Sequence, residues 1–341
     1  MADRESDSIA TLAPGIESVD SGQWDALAGG DPFLSHAFLA SLEESGSVGP
    51  GSGWSPAPIL IERNRRIVAA APAYLKSHSQ GEYVFDHGWA EAWQQAGGRY
   101  YPKLQVAVPF TPVPGPRLLG SLPQQLLAAI ESVTVENQLS SAHVTFIDEA
   151  GATECERRAW LIRHGVQYHW ANRGYYSFDD FLGALASRKR KAIRKERAAA
   201  LAGLELQILR GAEIGPAEWE SMWAFYQDTG ARKWGQPYLT RRFFDLIAER
   251  IGDQLLLFLA CRDGIPIAGA LNVIGPDTLY GRYWGASEDV PFLHFELCYY
   301  QAIDWAIAHG LSSVEAGAQG EHKLARGYEP VITASAHFIP D

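Results

Sequence analysis

The sequence predicts an α/β protein with two domains, each built on a mixed central sheet flanked by helices. The chain has 341 residues, which allows two domains of about 150 residues each. Both halves also order their strands and helices in the same way, although no repeat is visible residue by residue. Helices on both faces of a mixed sheet are the usual packing for this order. We place the boundary near residue 178, giving domains 1–178 and 179–341.

The first half begins with a polar segment and a helix. Phe33, Leu34, Phe38 and Leu42 recur at helical spacing, and Gly46 ends this helix. The other segments with helical patterns are 90–98, 122–139 and 153–164. The segments with strand patterns are 57–63, 66–76, 103–110, 142–148 and 165–178.

The second half repeats this alternation. The predicted helices are 179–201, 216–228, 238–251 and 292–309, and Gly310 provides the C-cap of the last one. The predicted strands are 204–211, 254–262, 265–275, 278–287, 312–317 and 332–339. The Asp263–Gly264 pair between two of these strands predicts a tight hairpin.

Composition limits the classes of protein that fit. Three widely spaced cysteines, Cys155, Cys261 and Cys298, indicate buried thiols rather than a disulfide framework or a zinc site. The N-terminus lacks the basic and apolar regions of a signal peptide, and no apolar run reaches 18 residues. We therefore expect a cytoplasmic protein without a transmembrane segment and without a metal site.

The charge is unevenly distributed. The net charge is −11, which argues against general affinity for nucleic acid. The run RKRKAIRKER at 188–197 nevertheless has a net charge of +6, leaving −17 on the rest of the chain. Such a basic helix could bind phosphates of tRNA, of a nucleotide sugar or of coenzyme A, or a membrane surface. A solvated helix that balances an acidic protein is the alternative.

Several motifs together resemble the FemAB-like proteins of peptidoglycan biosynthesis and recognition, a branch of the GNAT superfamily. They include SRKRKAIRKER at 187–197, FYQDTGARKWGQPYLT at 225–240, GRYWGASEDVPFLHFELCYYQAIDWAIAHG at 281–310 and VEAGAQGEHKLARGYEP at 314–330. The resemblance covers about residues 31–339. It implies two tandem GNAT-like domains, with the donor bound by the C-terminal one and the acceptor by the N-terminal one. No glycine-rich pyrophosphate loop of the acetyl-CoA type is present.

The resemblance implies a ligand site at the end of the strand that carries Glu315. Gly317 and Gly320 would let a ligand approach the backbone, and Lys323 stands where Fem-like enzymes place a lysine before Gly-Tyr. A lysine there could neutralise a phosphate or a developing oxyanion. His322 lies beside it. The same residues would also suit a strand-to-helix loop with solvated charges.

The strand YGRYWGAS at 280–287 has two internal glycines, which indicates close access to its backbone. In GNAT enzymes the corresponding strand bulges and offers an N–H to the acyl carbonyl. The resemblance thus implies that Tyr283 or Arg282 helps to hold the donor and that Trp284 contributes to the site. A bulged edge strand with aromatic packing is the other interpretation.

Candidate bases lie at the start of the next helix. His294 and Glu296 occupy its first turn, where the helix dipole favours a carboxylate. With Glu315 they are the candidates for deprotonating an amine. Further candidates for substrate contact are Arg194 in the basic run, Trp234 in GARKWGQPY, and Asp86 in an aromatic and acidic stretch suited to an acceptor.

These residues predict an N-acyltransferase with a catalytic C-terminal half. An α-amine with a pKa near 8 is only about one-tenth neutral at pH 7, so a nearby base is useful. We expect no tightly bound cofactor, with acyl-CoA or aminoacyl-tRNA as the co-substrate and an amine as the acceptor, for example on a UDP-linked muropeptide. The alternative is a module that binds cell-wall precursors without catalysis. The sequence does not indicate an oligomeric state.

Overall fold

The computed structural model describes residues 8–234, 237–317 and 320–340. The chain folds into two compact units. The N-terminal unit is Met1–Gly165 with Ile332–Asp341, and the C-terminal unit is Val166–Val331. The division therefore lies before the predicted residue 178, and the last strand returns to the N-terminal unit.

In its described residues, 8–165 and 332–340, the N-terminal unit contains strands of two sheets and five α-helices. Its strands are β1 (Ile9–Leu12), β2 (Trp54–Pro56), β3 (Ile59–Arg63), β4 (Arg66–Ala71), β5 (Ala73–Lys76), β6 (Lys103–Val106), β7 (Leu119–Gly120) and β8 (Ala142–Ile147). Its helices are α1 (Ser21–Ala28), α2 (His36–Glu44), α3 (His87–Gln95), α4 (Pro123–Glu136) and α5 (Glu149–Glu156). The predicted helix at 153–164 thus ends earlier, because a strand begins at Leu161.

Strand pairing within the N-terminal unit joins both neighbouring strands and strands far apart in the chain. One sheet has the order β1-β3-β4-β7, and β2, β5, β6 and β8 are neighbours in the other. β6 and β8 are parallel, whereas the remaining pairs among these eight strands are antiparallel. The core is apolar, with Leu126, Leu127 and Ile130 of α4 fully buried against the sheets. Burial of each such side chain contributes about 1.5–3 kcal/mol.

The C-terminal unit is built on one large sheet. Its strands are β9 (Leu161–Ala171, which begins in the N-terminal unit), β10 (Glu205–Arg210), β11 (Leu255–Arg262), β12 (Ile265–Ile274), β13 (Thr278–Ala286) and β14 (Ser313–Ala316). Their order is β10-β11-β12-β13-β14-β9, and only the β13–β14 pair among them is parallel. The last strand, β15 (Glu329–Phe338), runs from this unit back to β8.

The helices of the C-terminal unit are partly interrupted. They are α6 (Phe178–Ala184), α7 (Ser187–Ala200), α8 (Pro216–Trp234), α9 (Arg241–Ile251), α10 (Leu293–Phe295) and α11 (Gln301–Ala308). The predicted helix at 179–201 is two helices, because Leu185 is extended between α6 and α7. The predicted helix at 292–309 contains a π-helical turn over Glu296–Tyr300, a feature that is frequent at functional sites.

Local sequence explains the main elements of this unit. β11 is a continuous apolar run, and its residues 255–261 are fully buried, as expected of a central strand. Asp263 and Gly264 have φ angles of 50° and 77° and join β11 to β12, which confirms the predicted hairpin. Thr240 caps α9 by accepting a hydrogen bond from the Phe243 N–H at 3.3 Å.

Candidate functional site

The sheet of the C-terminal unit opens between β13 and β14. Their parallel register ends at the pair Gly281–Ala316, while β13 continues to Ala286. On its other side, β13 shifts register against β12 so that Arg282 is the extra residue of a β-bulge. Two strands that separate in this way expose backbone groups to a ligand, as the resemblance implies.

Lys323 reaches the end of β14 from a 3₁₀ helix, Glu321–Arg326. Its side chain is fully buried, and Nζ donates a hydrogen bond of 2.6 Å to the Gly317 carbonyl. Burial lowers the pKa of Lys323 to about 8, although Cys298 and Glu315 act in the opposite direction. The ammonium is therefore still largely charged at pH 7, in a place where water screens it poorly.

Glu315 and His169 lie directly opposite each other on β14 and β9. The distance from His169 Nδ1 to Glu315 Oε1 is 3.6 Å, and His169 Nε2 is 3.0 Å from Gln167 Oε1. Burial, reinforced by the Lys323 charge, lowers the pKa of His169 to about 4, so the ring is neutral at pH 7.

The neutral His169 ring carries one proton between two acceptors. Nε2 faces Gln167 Oε1 and Nδ1 faces the Glu315 carboxylate, so the ring donates to one of them and keeps a lone pair on its other nitrogen. The two side chains together form a pair of acceptors that can take N–H groups or a proton from an amine, close to the positive charge of Lys323.

A group of aromatic side chains continues this site along the π-helical turn. The Tyr299 hydroxyl forms a hydrogen bond of 2.9 Å with His322 Nε2, and burial raises the pKa of Tyr299, so the hydroxyl remains protonated. His294 packs edge to face against Trp284 at 5.2 Å and against Tyr299 at 5.4 Å. The structure thus brings His322, His294 and Trp284 into one connected group.

The glycines around Lys323 have defined roles. Gly320 has a φ angle of 119°, and a Cβ there would lie 2.4 Å from the His322 ring. Gly317 has a φ angle of 75° and supplies the carbonyl that holds Lys323. Both positions therefore favour glycine.

Tyr283 packs against side chains of α8 and α9, and Arg282 lies beside its ring. The Tyr283 ring packs against Tyr226 and Phe244 at centroid distances of 5.4 Å and 5.7 Å, among the side chains of α8 and α9. The Arg282 guanidinium is 5.6 Å from the Tyr283 ring.

Glu296 is held by Arg197 and Gln301. It is fully buried, 3.0 Å from Arg197 in an ion pair, and accepts a hydrogen bond of 2.6 Å from Gln301. Burial raises the pKa of Glu296, and Arg197 opposes this rise. These contacts fix α7 to the π-helical turn, and Glu296 serves there as the ion-pair partner of Arg197.

The basic run forms α7, beside the 3₁₀ helix that carries Lys323. Lys189 donates a hydrogen bond of 3.1 Å to the Leu324 carbonyl. Arg194 is exposed and pairs with Asp179 at 2.9 Å. The exposed basic residues of this helix also include Arg188, Lys191 and Lys195.

Two further candidates lie outside this group. Asp86 belongs to the N-terminal unit, where it accepts a hydrogen bond from Tyr100 and forms an ion pair with Lys103. Trp234 is the last residue of α8, and its side chain lies outside the described part of the structure. Across residues 8–234, 237–317 and 320–340, no group of three His, Cys, Asp or Glu side chains could hold a metal ion. No helix in these ranges is long and apolar enough to cross a membrane.

His169 and Gln167 were not predicted as site residues. Their alternation with Tyr168 and the buried Trp170 in QYHW is a usable signal for a polar strand face. The pairing of β9 with β14 places this face beside Glu315. It joins segments that are far apart in the chain, so the sequence pattern does not predict it.

The mixed sheets, the bulged β13 and its separation from β14 are features of a tandem GNAT fold. The chain belongs to the FemAB-like family, described as peptidoglycan biosynthesis/recognition, which matches residues 15–341. No curated protein sequence matches the chain.

Solved structures share its fold at low sequence identity. FemX is 12% identical with a TM-score of 0.57, over 94% of this chain and 96% of FemX. A tandem GNAT protein from the clavulanic acid biosynthesis pathway is 14% identical with a TM-score of 0.51, over 98% and 100% of the two chains. L-PGS from Bacillus licheniformis is 10% identical with a TM-score of 0.54, over 91% and 92%.

Proposed function

We propose that the C-terminal unit transfers an acyl or aminoacyl group from an activated donor to an amine of a peptidoglycan precursor. The observation that carries the proposal is the pair of acceptors, Glu315 and His169, beside the buried ammonium of Lys323. They lie at the end of β14, where β13 and β14 separate. The family assignment supports the connection with cell-wall precursors.

The chemistry follows from the charges of these groups. Glu315 and His169 hold the attacking amine by its N–H groups and take the proton that it loses. The amine nitrogen forms a bond to the donor carbonyl carbon, and the bond from that carbon to the leaving oxygen or sulfur breaks. The ammonium of Lys323 stabilises negative charge that develops on the donor, and the leaving group receives a proton.

The donor that we propose carries phosphates, as acyl-CoA and aminoacyl-tRNA do. The exposed cations of α7 lie on a helix that contacts the 3₁₀ helix of Lys323 through Lys189. A plot of the logarithm of the binding constant against the logarithm of the salt concentration has a negative slope. Each phosphate of single-stranded nucleic acid that these cations neutralise would make this slope more negative by about 0.7. A slope steeper than about −3 would favour tRNA, since coenzyme A offers few phosphates.

The test is product formation by the intact protein. A UDP-linked muropeptide is incubated with acyl-CoAs or with aminoacyl-tRNAs, and the mass of the muropeptide is followed. We expect one donor class to add its acyl group to an amine, and Lys323→Met to abolish this without changing the fold. Glu321→Gln is the matched control, because Glu321 is exposed in the same 3₁₀ helix.

The possible results separate the two readings of the family. Precursor binding without product from any donor would replace the transferase proposal with a binding module. Normal turnover by Lys323→Met would show that the site lies elsewhere.

A further inference from the structure

The N-terminal unit contains a cavity of about 730 Å³. Trp89, Ala92 and Trp93 of α3, with its C-cap residue Ala96, line one wall. Their spacing of i, i+3, i+4 and i+7 places them on one helix face. Such an apolar face normally packs against protein, whereas here both tryptophans remain half-buried and both alanines are exposed. The volume lies within the range of about 300–1,000 Å³ that is usual for small-molecule sites.

The remaining walls divide into an apolar and a polar part. Leu161 and Ile339 also line the cavity, and they are 56% and 37% exposed. The polar part is formed by Tyr100, Ser141 and His143. The cavity thus offers a ligand aromatic faces and aliphatic groups together with a small patch of hydrogen-bonding side chains.

Behind Tyr100 lies a buried carboxylate with an unused oxygen. The Tyr100 hydroxyl donates a hydrogen bond of 2.7 Å to Asp86 Oδ2, and Lys103 binds the same oxygen. Burial would raise the pKa of Asp86, but Lys103 and the hydrogen bonds lower it overall, so the group is ionised. Its other oxygen, Oδ1, is buried and has no hydrogen-bond partner among the described residues.

Behind His143 lies a second unused acceptor. Ser140 donates its only hydroxyl proton to the Tyr100 carbonyl, so Ser141 donates to Ser140 at 3.1 Å and accepts from His143 Nε2 at 2.7 Å. His143 Nδ1 is then an acceptor for the proton on His337 Nδ1 at 2.6 Å. This leaves Nε2 of His337 as a lone pair, and this buried atom has no hydrogen-bond partner within the described ranges.

Both histidines stay neutral in this arrangement. Burial lowers the pKa of His143 well below its usual value and that of His337 to about 4. The His337 ring also packs edge to face against Trp89 at 4.7 Å, so it lies next to the aromatic wall. Asp86 Oδ1 and His337 Nε2 therefore lack a hydrogen-bond donor among the described residues. Asp86 contacts the lining residue Tyr100, and His337 contacts the lining residue Trp89.

We propose that this cavity binds a small ligand with a flat apolar body and an ammonium or other N–H donor. The apolar body would lie between the tryptophans and the aliphatic wall, and the donor would meet the hydroxyl oxygens of Tyr100 and Ser141, which line the cavity in front of the buried acceptors. Tryptophan faces also attract cations. Arg163, whose guanidinium is 5.9 Å from the Trp89 ring, makes a carboxylate-bearing ligand the competing occupant. This binding site does not depend on the transfer reaction of the C-terminal unit.

The test uses three probes of one shape and calorimetric titration of the full chain. The probes are 2-(1-naphthyl)ethylamine, the corresponding alcohol and 1-naphthylacetate. We expect the amine to bind and the other two to bind about tenfold more weakly. Equal affinity of all three, tighter binding of the acetate, or binding of none would overturn the proposal.

A matched pair of variants locates the binding site. Ala92→Phe fills the cavity from an exposed position of α3 and should abolish binding of the amine while the melting temperature is unchanged. Gln94→Phe introduces the same side chain at an exposed position of the same helix outside the cavity lining, and it should bind normally. Amine binding that survives Ala92→Phe would contradict the assignment to this cavity. Because the readout is binding, its outcome is separate from that of the turnover experiment.

Discussion

Lys323 combines burial with a positive charge, and this combination has a measurable thermodynamic consequence. Taking an ammonium out of water is costly unless it is paired. The Lys323 ammonium donates a hydrogen bond of 2.6 Å to the Gly317 carbonyl. The folded-state pKa of about 8 is lower than the ordinary 10.5. The unfolded chain therefore binds more protons than the folded chain between these two pH values.

The pH dependence of stability should reveal this residue. Between about pH 8 and 10.5, loss of the proton from the folded state makes the Lys323 contribution to stability rise with pH. Its size is on the order of 3 kcal/mol. The free energy of unfolding is measured with urea at pH 7 and at pH 10. We expect the value at pH 10 minus the value at pH 7 to be more positive in the wild type than in Lys323→Met. Parallel pH profiles of the two proteins would contradict a buried lysine.

The same charge predicts a pH dependence of activity. If the ammonium stabilises the donor, the acyl-transfer rate should fall above about pH 8, where Lys323 loses its proton. Arginine stays charged at this pH, so Lys323→Arg should move the falling limb to higher pH even if its rate is lower. A falling limb at the same pH in both proteins would assign it to another group.

At the scale of elements, β13 is shaped by close contact with α8. A Cβ on Gly285 would lie 2.1 Å from the Phe225 carbonyl oxygen. This is a backbone atom, so the contact cannot be relieved by a rotamer change. The glycine in this strand therefore serves helix packing, in addition to any access that the bulge at Arg282 gives to a ligand.

Substitution of this glycine tests the packing. Gly285→Ala should destabilise the protein by about 1–3 kcal/mol, because α8 and β13 must separate. Gly183→Ala in α6 is the matched control. A Cβ there meets nothing within 4 Å, and alanine favours a helix by about 0.5–1 kcal/mol over glycine. Urea unfolding measures both, and equal stability of the two variants would contradict the close contact.

Elements with strong local patterns were predictable from the sequence. The helical spacing of α2, the apolar run of β11 and the Asp-Gly hairpin all correspond to the structure, since each depends on neighbouring residues. Bounds were less accurate where two elements adjoin, as at Leu185 and Leu161. Periodicity does not reveal a break that only tertiary contacts decide.

The candidate site was predictable only in part. The cluster of glycine and charge at 315–328 indicated Lys323 and Glu315. His169 joins them through pairing between β9 and β14, and Arg282 lies beside the Tyr283 ring. The position of Glu296 in the first turn of a predicted helix suggested a base. In the structure it forms an ion pair with Arg197, which is far away in the sequence. Contacts between residues far apart in the chain cannot be predicted from the pattern of neighbouring residues.

At the scale of the whole molecule, the chain leaves the N-terminal unit at residue 165 and returns to it at residue 332. The returning part of β15 pairs with β8, and Ala336 and His337 within it are buried. The N-terminal unit is therefore incomplete without a segment from the other end of the chain.

Fragments of the chain test this connectivity. Residues 1–165 alone keep the pairing of β8 with β6 but leave the other edge of β8 without β15, so we expect aggregation or no cooperative unfolding. The same fragment joined by a flexible Gly-Ser linker to residues 332–341 should unfold cooperatively. Calorimetry of both fragments measures this. Equal stability with and without the C-terminal strand would show that the strand is dispensable.

The reaction itself tests the central claim, that Glu315 and His169 act together on the amine. The measurement is the acyl-transfer rate at saturating donor for the wild type, Glu315→Gln, His169→Phe and the double variant. Each single change should lower the rate by about 10²–10⁴-fold, and the double variant should be hardly slower than the worse single one, because the two groups act as a unit. Wild-type rates in either single variant, or losses that multiply in the double variant, would contradict it.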